Sequence, residues 1–433
     1  MNKFFIWATN ACIERILDCQ KIQDYFLSNK WQAVKNIAKA DLIIISTCSL
    51  TKDEDESSAD YIQFCLRNKS NKARVIIAGC MPIVSPEKFR KLGDFTTISP
   101  TNLEALDDII KSNVKFREVN EPNNVIASRF HKMSFKQLLT ARSWVEKFFL
   151  KDKPGSDSHK PLWDSVRSGF QYFGLLKSYI NPLLVGKRNN FHYLRISNGC
   201  MGACNYCAKR FATGNLKSKS SENIINEFLE GIKSGKKYFF LVTEDSGCYG
   251  LDCQMTIVDL LKQLFEAGED YDFKLAISNF NARWLIRYYQ ELDDILIKNQ
   301  TKIYYLQIPI QSASNKVLKL MNRMYDIDAV QGCLLDLRQK APDIALTTDI
   351  IAGFPGEADN DFEQTKEFLK KLEFEHVDVF GFQDRRNTVA NKMKDKVSQD
   401  IIERRVFELV RVQNSKRNLA NVFKKAFELV NDF

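Results

Sequence analysis

The chain has 433 residues, 44% of them hydrophobic and 27% charged, with a net charge of +9. That length predicts two or three domains, and no apolar run reaches the roughly 18 residues of a transmembrane helix. The opening Met1-Asn-Lys-Phe-Phe-Ile-Trp-Ala-Thr is too short an apolar run for a secretory signal, so eleven cysteines argue for metal use in a reducing cytoplasm rather than for disulfides. The positive excess leans toward anionic partners such as nucleic acid, although a generally basic surface gives the same sum.

Residues 1–125 alternate short apolar runs with helical patterns. Lys3–Ala8 predicts a strand, Cys12–Asn29 a helix, and Asp41–Ser46 and Arg74–Ala78 buried strands. This βαβ alternation predicts an α/β domain with a parallel sheet, and ligands in such sheets sit at the carboxyl ends of the strands. Cys12, Cys48 and Cys80 each fall at or just after such an end. Brought together there, three thiolates could hold a [4Fe–4S] cluster. Three buried core cysteines are the competing reading of the same residues.

Residues 126–190 have a different character. From His131 to Asn190 there are eleven Lys and Arg against four Asp and Glu, with Trp144 and Trp163 among them. Ser134–Leu150 has helical spacing, and Lys153-Pro-Gly-Ser-Asp-Ser reads as a loop. Basic residues interleaved with aromatics suit phosphate and base contacts, while an amphipathic cover with a buried aromatic face explains the pattern equally. Residues 191–393 form a third segment of repeated strand–helix units. Strands are predicted at Tyr193–Ile196, Tyr238–Thr243, Lys274–Ser278, Ile303–Ile308, Ala345–Ile351 and Val377–Gly381, with helices such as Ser221–Gly231 and Ile257–Gly268 between them. Six such units predict a partial (β/α)6 TIM-like barrel with its site at the strand C-terminal ends.

The first of those strands runs into Asn198-Gly-Cys200-Met-Gly-Ala-Cys204-Asn-Tyr-Cys207, a C-x3-C-x2-C spacing. Thiolates this close can hold three irons of a [4Fe–4S] cluster and leave the fourth open to an outside molecule. The spacing differs from the paired C-x2-C of structural zinc. With four histidines in the chain, a histidine general base is not favoured. Cys65, Cys248, Cys253 and Cys333 match no role, and buried or idle thiols are the simplest reading of them.

The cysteine motif resembles the signature of the radical S-adenosylmethionine (SAM) superfamily, in which the open iron chelates SAM. Tyr206 stands where that superfamily has an aromatic near the adenine. Further segments resemble the methylthiotransferases within it. Thr9-Asn-Ala-Cys12-Ile-Glu-Arg15-Ile-Leu-Asp18-Cys19-Gln20 is similar to their T-x-G-C-x2-N-x2-D-S-E opening, with departures at Ala11, Arg15, Cys19 and Gln20. Ser46-Thr47-Cys48 resembles their N-T-C and Gly79-Cys80 their G-C. The run from Leu241 to Asp252 is similar to L-x-G-Q-D-x3-Y-G-x-D, with Glu244 and Asp245 where polar groups bind the SAM ammonium. Pro309-Ile-Gln311-Ser-Ala-Ser314 and Met321-Asn-Arg323 resemble P-L-Q-x2-S and M-x-R, and Ile351-Ala-Gly353-Phe-Pro-Gly356-Glu357 resembles I-x-G-F-P-G-E. The run from Phe382 to Met393 is similar to Y-S-x-R-x-G-T-x-A-x2-M, with departures at Gln383 and Asn387.

The resemblance implies two [4Fe–4S] clusters, one on Cys200, Cys204 and Cys207 and an auxiliary one on Cys12, Cys48 and Cys80. It implies SAM held near Tyr206, Glu244, Asp245, Gln311, Arg323, Ile351 and Gly353. It implies replacement of a C–H bond by C–S–CH3 on a macromolecule, with an external electron donor. In the family that macromolecule is a tRNA adenosine or a ribosomal protein, and the basic charge leans toward tRNA. A peptide or small-molecule substrate with the N-terminal cluster in electron transfer is the alternative, and a non-catalytic Fe–S or RNA-binding relative is a third. Residues 394–433 read as a helical tail in which Arg404 and Arg405 fall near an Arg common in the family. The family's C-terminal TRAM barrel is expected to be missing, which makes this an atypical member.

Overall fold

The computed structural model describes residues 2–8, 12–124 and 191–416. The basic segment with its expected helix Ser134–Leu150, and the last residues of the tail, lie outside these. Strands β1 (Lys3–Ala8), β2 (Gln32–Ala33), β3 (Leu42–Thr47), β4 (Arg74–Gly79) and β5 (Thr96–Ile98) form one parallel sheet in the order β2-β1-β3-β4-β5. β3, Leu-Ile-Ile-Ile-Ser-Thr, is buried along its whole length, as a strand covered by helices on both faces must be. The strand order reverses direction between β1 and β3, and that switch point opens a crevice at the carboxyl ends. Cys12 and Cys48 leave the sheet on either side of it, and Cys80 follows the next strand.

Two helices frame that crevice. Ile13–Ser28 begins directly after Cys12. Lys52–Asn68 is started by a capping box, in which Glu54 N–H donates to Thr51 Oγ1 and Thr51 N–H donates to Glu54 Oε2 at 3.0 Å. Glycine is required at position 79: its φ is +96°, and a Cβ there would lie 2.3 Å from the Thr47 carbonyl oxygen. The close crossing lets Cys80 N–H donate to that same carbonyl at 3.0 Å.

The second parallel sheet holds β6 (Phe191–Arg195), β9 (Tyr238–Val242), β10 (Lys274–Ile277), β11 (Ile303–Gln307), β12 (Ala345–Ala352) and β13 (His376–Gly381) in sequential order. Between β6 and β9 a small antiparallel pair, β7 (Ser197–Asn198) and β8 (Lys217–Ser218), frames the cysteine loop. This is the expected partial barrel. β6 starts two residues earlier than predicted, because Phe191 packs against Tyr238 and Phe240. The strands alternate as a barrel demands. Leu275, Ile277, Leu306, Leu346 and Ile350 face the surrounding helices. Phe191, Tyr193, Phe240, Val242, Ala276, Tyr305 and Ala345 form a separate cluster on the inner face.

That inner cluster is completed from outside the barrel. Leu17, fully buried on the helix Ile13–Ser28, packs into it, and Ile13 leans on it. Ion pairs fix the same helix: Asp18 Oδ1 lies 2.8 Å from Arg195 Nη2, and Lys21 Nζ lies 2.6 Å from Glu121. On the other side of the crevice Asp55 is bonded to the buried Arg385 guanidinium, and the Lys52 N–H donates to Gln383. Arg405 is buried beside Glu357, with Nη1 to Oε2 at 2.7 Å, and so ties the helix Gln399–Lys416 to the Gly353–Glu357 turn. Among the described residues no helix is long and apolar enough to cross a membrane.

Candidate active site

The three N-terminal cysteines follow the carboxyl ends of neighbouring strands around the switch-point crevice. Cys12 occupies the N-cap of Ile13–Ser28 and makes no side-chain cap bond. Cys48 Sγ donates to Glu54 Oε2 at 3.3 Å, and its backbone is held by Ser58 Oγ. Cys80 packs with Val84 against Ala208, the N-cap of the helix Lys209–Thr213 beside the second cysteine loop, and against Ala212 within that helix. Burial pushes all three thiols above their ordinary range. Cys80 adds to the rise at Cys12, while Cys12 and Cys80 both add to it at Cys48.

The second loop carries Cys200, Cys204 and Cys207. It is stitched to the barrel by Asn205, whose N–H donates to the Met321 carbonyl and whose Nδ2 donates to that of Leu320. Donors already point at its sulfurs. Gly202 N–H reaches Cys200 Sγ at 3.1 Å, and Arg323 Nη1 lies 3.6 Å from Cys204 Sγ. Cys248, fully buried, donates its thiol to the Asp245 carbonyl at 3.1 Å and lies beside Cys200, whose thiol it holds below the ordinary range. Sequence reading left Cys248 idle, since nothing in the spacing of Cys200 and Cys248 signals contact. Cys253 is exposed, and Cys65 lies in the apolar core of the first sheet.

The expected SAM contacts divide into distinct groups. Gln311, Arg323, Ile351 and Gly353 gather at the ends of β11 and β12: Gln311 N–H donates to the Asp349 carbonyl at 2.7 Å, and its own carbonyl accepts from Ile351 N–H at 2.9 Å. Tyr206 sets its ring edge to Phe354, with centroids 6.4 Å apart. Gly353 has φ +77°, and a Cβ there would meet Ile402 at 2.3 Å, so packing against the C-terminal helix already demands glycine. Asp245 is spent on its own loop, accepting from Gly247 N–H, Asn281 N–H and Trp284 Nε1. Glu244 is buried with neither carboxylate oxygen hydrogen-bonded among the described residues.

A charged junction that sequence reading did not foresee links the two cysteine sites. Lys209 Nζ lies 3.1 Å from Glu14 Oε1 and 3.9 Å from Glu244 Oε1. Burial alone would raise Glu14, but Lys209 and a hydrogen bond from Cys12 outweigh it and hold its carboxyl at about 2. Burial raises Glu244, and Lys209 and Arg15, the latter buried and paired with Asp18 at 2.9 Å, offset part of that rise as they do at the thiols of Cys12 and Cys80. Two cations therefore stand between the first cysteine triad and the Glu244 side of the second. Arg15 is visible in the sequence as a departure from the family pattern, whereas Lys209 carries no such signal.

Residues 194–369 match the radical SAM superfamily, and residues 5–98 match a family described as uncharacterized protein family UPF0004. The chain is similar to the ribosomal protein uS12 methylthiotransferase RimO of Clostridium novyi, 30% identical over 424 residues that cover 94% of this chain and 82% of that relative. The chain belongs to the radical SAM methylthiotransferase family. RimO of Acetivibrio thermocellus is 28% identical over 98% of this chain and 85% of its own. A probable threonylcarbamoyladenosine tRNA methylthiotransferase of Pyrococcus horikoshii is 26% identical over 89% of this chain and 78% of its own. The radical SAM methyltransferase TsrM of Kitasatospora setae, solved with tryptophan and a SAM analogue, shares the fold at TM-score 0.59 and 10% identity, over 90% of this chain and 75% of its own.

A radical SAM methylthiotransferase uses a [4Fe–4S] cluster and SAM, and the residues present fit both groups. The N–H···S donors around Cys200 and Cys204 suit thiolates bonded to iron. A Cβ on Gly202 would stand 3.1 Å from Cys200 Sγ and 3.9 Å from Cys204 Sγ, so this glycine leaves the space between two sulfurs open. Buried Glu244, whose oxygens accept no hydrogen bond among the described residues and lie 3.9 Å from Lys209 Nζ, suits a cationic ligand group. Among the described residues no three His, Cys, Asp or Glu side chains close on a single ion; a cubane asks instead for thiolates spread over separate irons.

Proposed function

We propose that this enzyme methylthiolates an adenosine of tRNA, with one [4Fe–4S] cluster on Cys200, Cys204 and Cys207 and an auxiliary one on Cys12, Cys48 and Cys80. The single observation that carries the two-cluster reading is the shared junction of Arg15, Lys209, Glu14 and Glu244, through which the two cysteine triads face one space. When bound, the clusters and SAM supply hydrogen abstraction from an unactivated carbon and delivery of a methylthio group to it. The chain's own residues do the positioning. Tyr206, Gln311, Arg323, Ile351 and Gly353 frame the SAM site, and Glu244 takes the ammonium. Asp245 holds the loop that carries Glu244. Leu17 and the aromatic inner cluster close the barrel floor against water, which protects radical chemistry.

The Glu244 assignment is tested by Glu244→Gln. Loss of a charged hydrogen-bond acceptor at a buried ammonium is expected to weaken SAM binding by about tenfold or more, read by equilibrium dialysis on the anaerobically reconstituted enzyme. Unchanged affinity would move the ammonium elsewhere.

The tRNA reading is supported by the +9 charge and by tRNA methylthiotransferases among the relatives. Binding to tRNA is then expected to fall by roughly a thousandfold between about 50 and 200 mM salt, the loss for about six phosphate contacts. A flat salt profile in a filter-binding titration would redirect the proposal to protein. That second reading is favoured by the apolar side chains exposed in the loops around the site, Leu50, Met201 and Met324, and by the RimO relatives.

A further inference from the structure

Opposite the cysteine sites, the barrel's inner face carries two carboxylates side by side. Asp349 on β12 and Asp378 on β13 are register partners in the parallel ladder. Their neighbours Ile350, Val377 and Val379 turn outward into the main core, so both carboxylates turn inward, near the strand ends where a barrel holds its substrate. Gln307 on β11 donates to Asp349 Oδ1 at 2.9 Å. His376 on β13 bonds Asp378 Oδ1 through Nε2 at 3.0 Å, while the Gln413 amide meets Nδ1 at 3.3 Å. An amide nitrogen only donates, so Nδ1 accepts and Nε2 donates to Asp378. Arg323 is the cation whose charge reaches Asp349, yet its N–H groups go to the Pro309 carbonyl, Tyr325 Oη and Cys204 Sγ. Among the described residues neither carboxylate has a Lys or Arg ion pair.

We propose that Asp349 and Asp378 form a carboxyl pair that recognises the substrate base, Asp349 donating and Asp378 accepting. A second carboxylate at the facing register position disfavours ionisation of the first. Burial, and then repulsion from Asp378, push Asp349 up to about 7, so its proton is present near neutrality. A pair with one donor and one acceptor matches adenine, which sets an amino N–H beside a ring-nitrogen acceptor. It repels a target bearing a carboxylate. The pair therefore favours a nucleobase over an acidic protein side chain, and this inference rests on the tRNA reading above.

The test uses the anaerobically reconstituted enzyme and anticodon stem–loop RNAs with either adenine or unsubstituted purine, which lacks the amine, at the target position. Wild type is expected to prefer adenine by about tenfold, the value of one hydrogen bond to a charged group. Asp378→Ala and Asp349→Ala are expected to abolish that preference with SAM affinity unchanged. Asp349→Asn keeps a donor and an acceptor without a titrating proton, so it should keep the preference. Wild-type affinity should weaken as pH rises through about 7, where the Asp349 proton leaves, and the Asn variant should not follow. Preference retained in both alanine variants, or a parallel loss of SAM affinity, would overturn the pair as a base reader while leaving tRNA as substrate. Failure of wild type to bind either RNA more tightly than a scrambled strand would overturn the tRNA reading and this inference together.

Discussion

Replacing Cys12, Cys48 and Cys80 together by alanine is expected to lower the iron content of the anaerobically reconstituted enzyme from about eight to about four per chain, as loss of one three-thiolate cluster requires. Acid-labile sulfide should fall in step, and methylthiolation should vanish. Reductive cleavage of SAM at the Cys200, Cys204 and Cys207 site should survive, because no ligand there is touched. The three thiols accept few bonds that folding depends on: Cys12 makes no side-chain cap, and Cys80 contributes a small apolar surface beside Ala208 and Ala212. A thermal melt close to that of the unloaded wild type would separate lost metal from lost fold. About four irons in both proteins would remove the auxiliary cluster, and with it the proposed sulfur chemistry.

Asp18→Ala is expected to cost about 3–5 kcal/mol of stability, the penalty for stranding buried charge. Asp18 is shared by two guanidiniums, Arg15 at 2.9 Å and Arg195 at 2.8 Å, all three of them buried. Among the described residues Arg195 would keep Glu121 at 3.6 Å as its ion-pair partner, beside neutral bonds to Asn198 and the Glu14 carbonyl, and Arg15 would keep no ion pair. Urea unfolding of the variant, compared with Arg195→Met and with the double variant, isolates the coupling between the two sides of the interface. A cost below about 1 kcal/mol, the value of a solvent-screened pair, would show that water reaches this contact.

The sequence carried the parts of the fold that periodicity writes locally. β1 is found over Lys3–Ala8 as predicted, and the buried run Leu-Ile-Ile-Ile places β3 to within a residue. With strand ends located, topology alone puts Cys12, Cys48 and Cys80 after the carboxyl ends of neighbouring strands. β2, two exposed residues at Gln32–Ala33, and β5 at Thr96–Ile98 have no apolar alternation to announce them and exist because a neighbouring strand offers hydrogen bonds. The site divides the same way. Cysteine spacing marked the ligand candidates. The Lys209–Glu14 junction, the Asp55–Arg385 bond and the Cys248–Cys200 contact join residues far apart in the chain, and each residue taken singly reads as an ordinary charge or thiol. Asp378 was equally silent, since a lone acid in a strand gives no hint that Asp349 lies beside it.

Leu17 at the barrel floor bears on how the molecule is made. The side chain that finishes the barrel's inner layer belongs to a segment synthesised well before β6. Contacts of such long sequence separation are slow to form from an unfolded chain, but a chain emerging from the ribosome folds its N-terminal part first. The helix that presents Leu17 is then already in place as a template when Phe191, Phe240 and Tyr305 arrive. Synthesis order thus turns a costly long-range closure into assembly on a standing surface, and it spares the aromatic floor a period of exposure to other nascent chains.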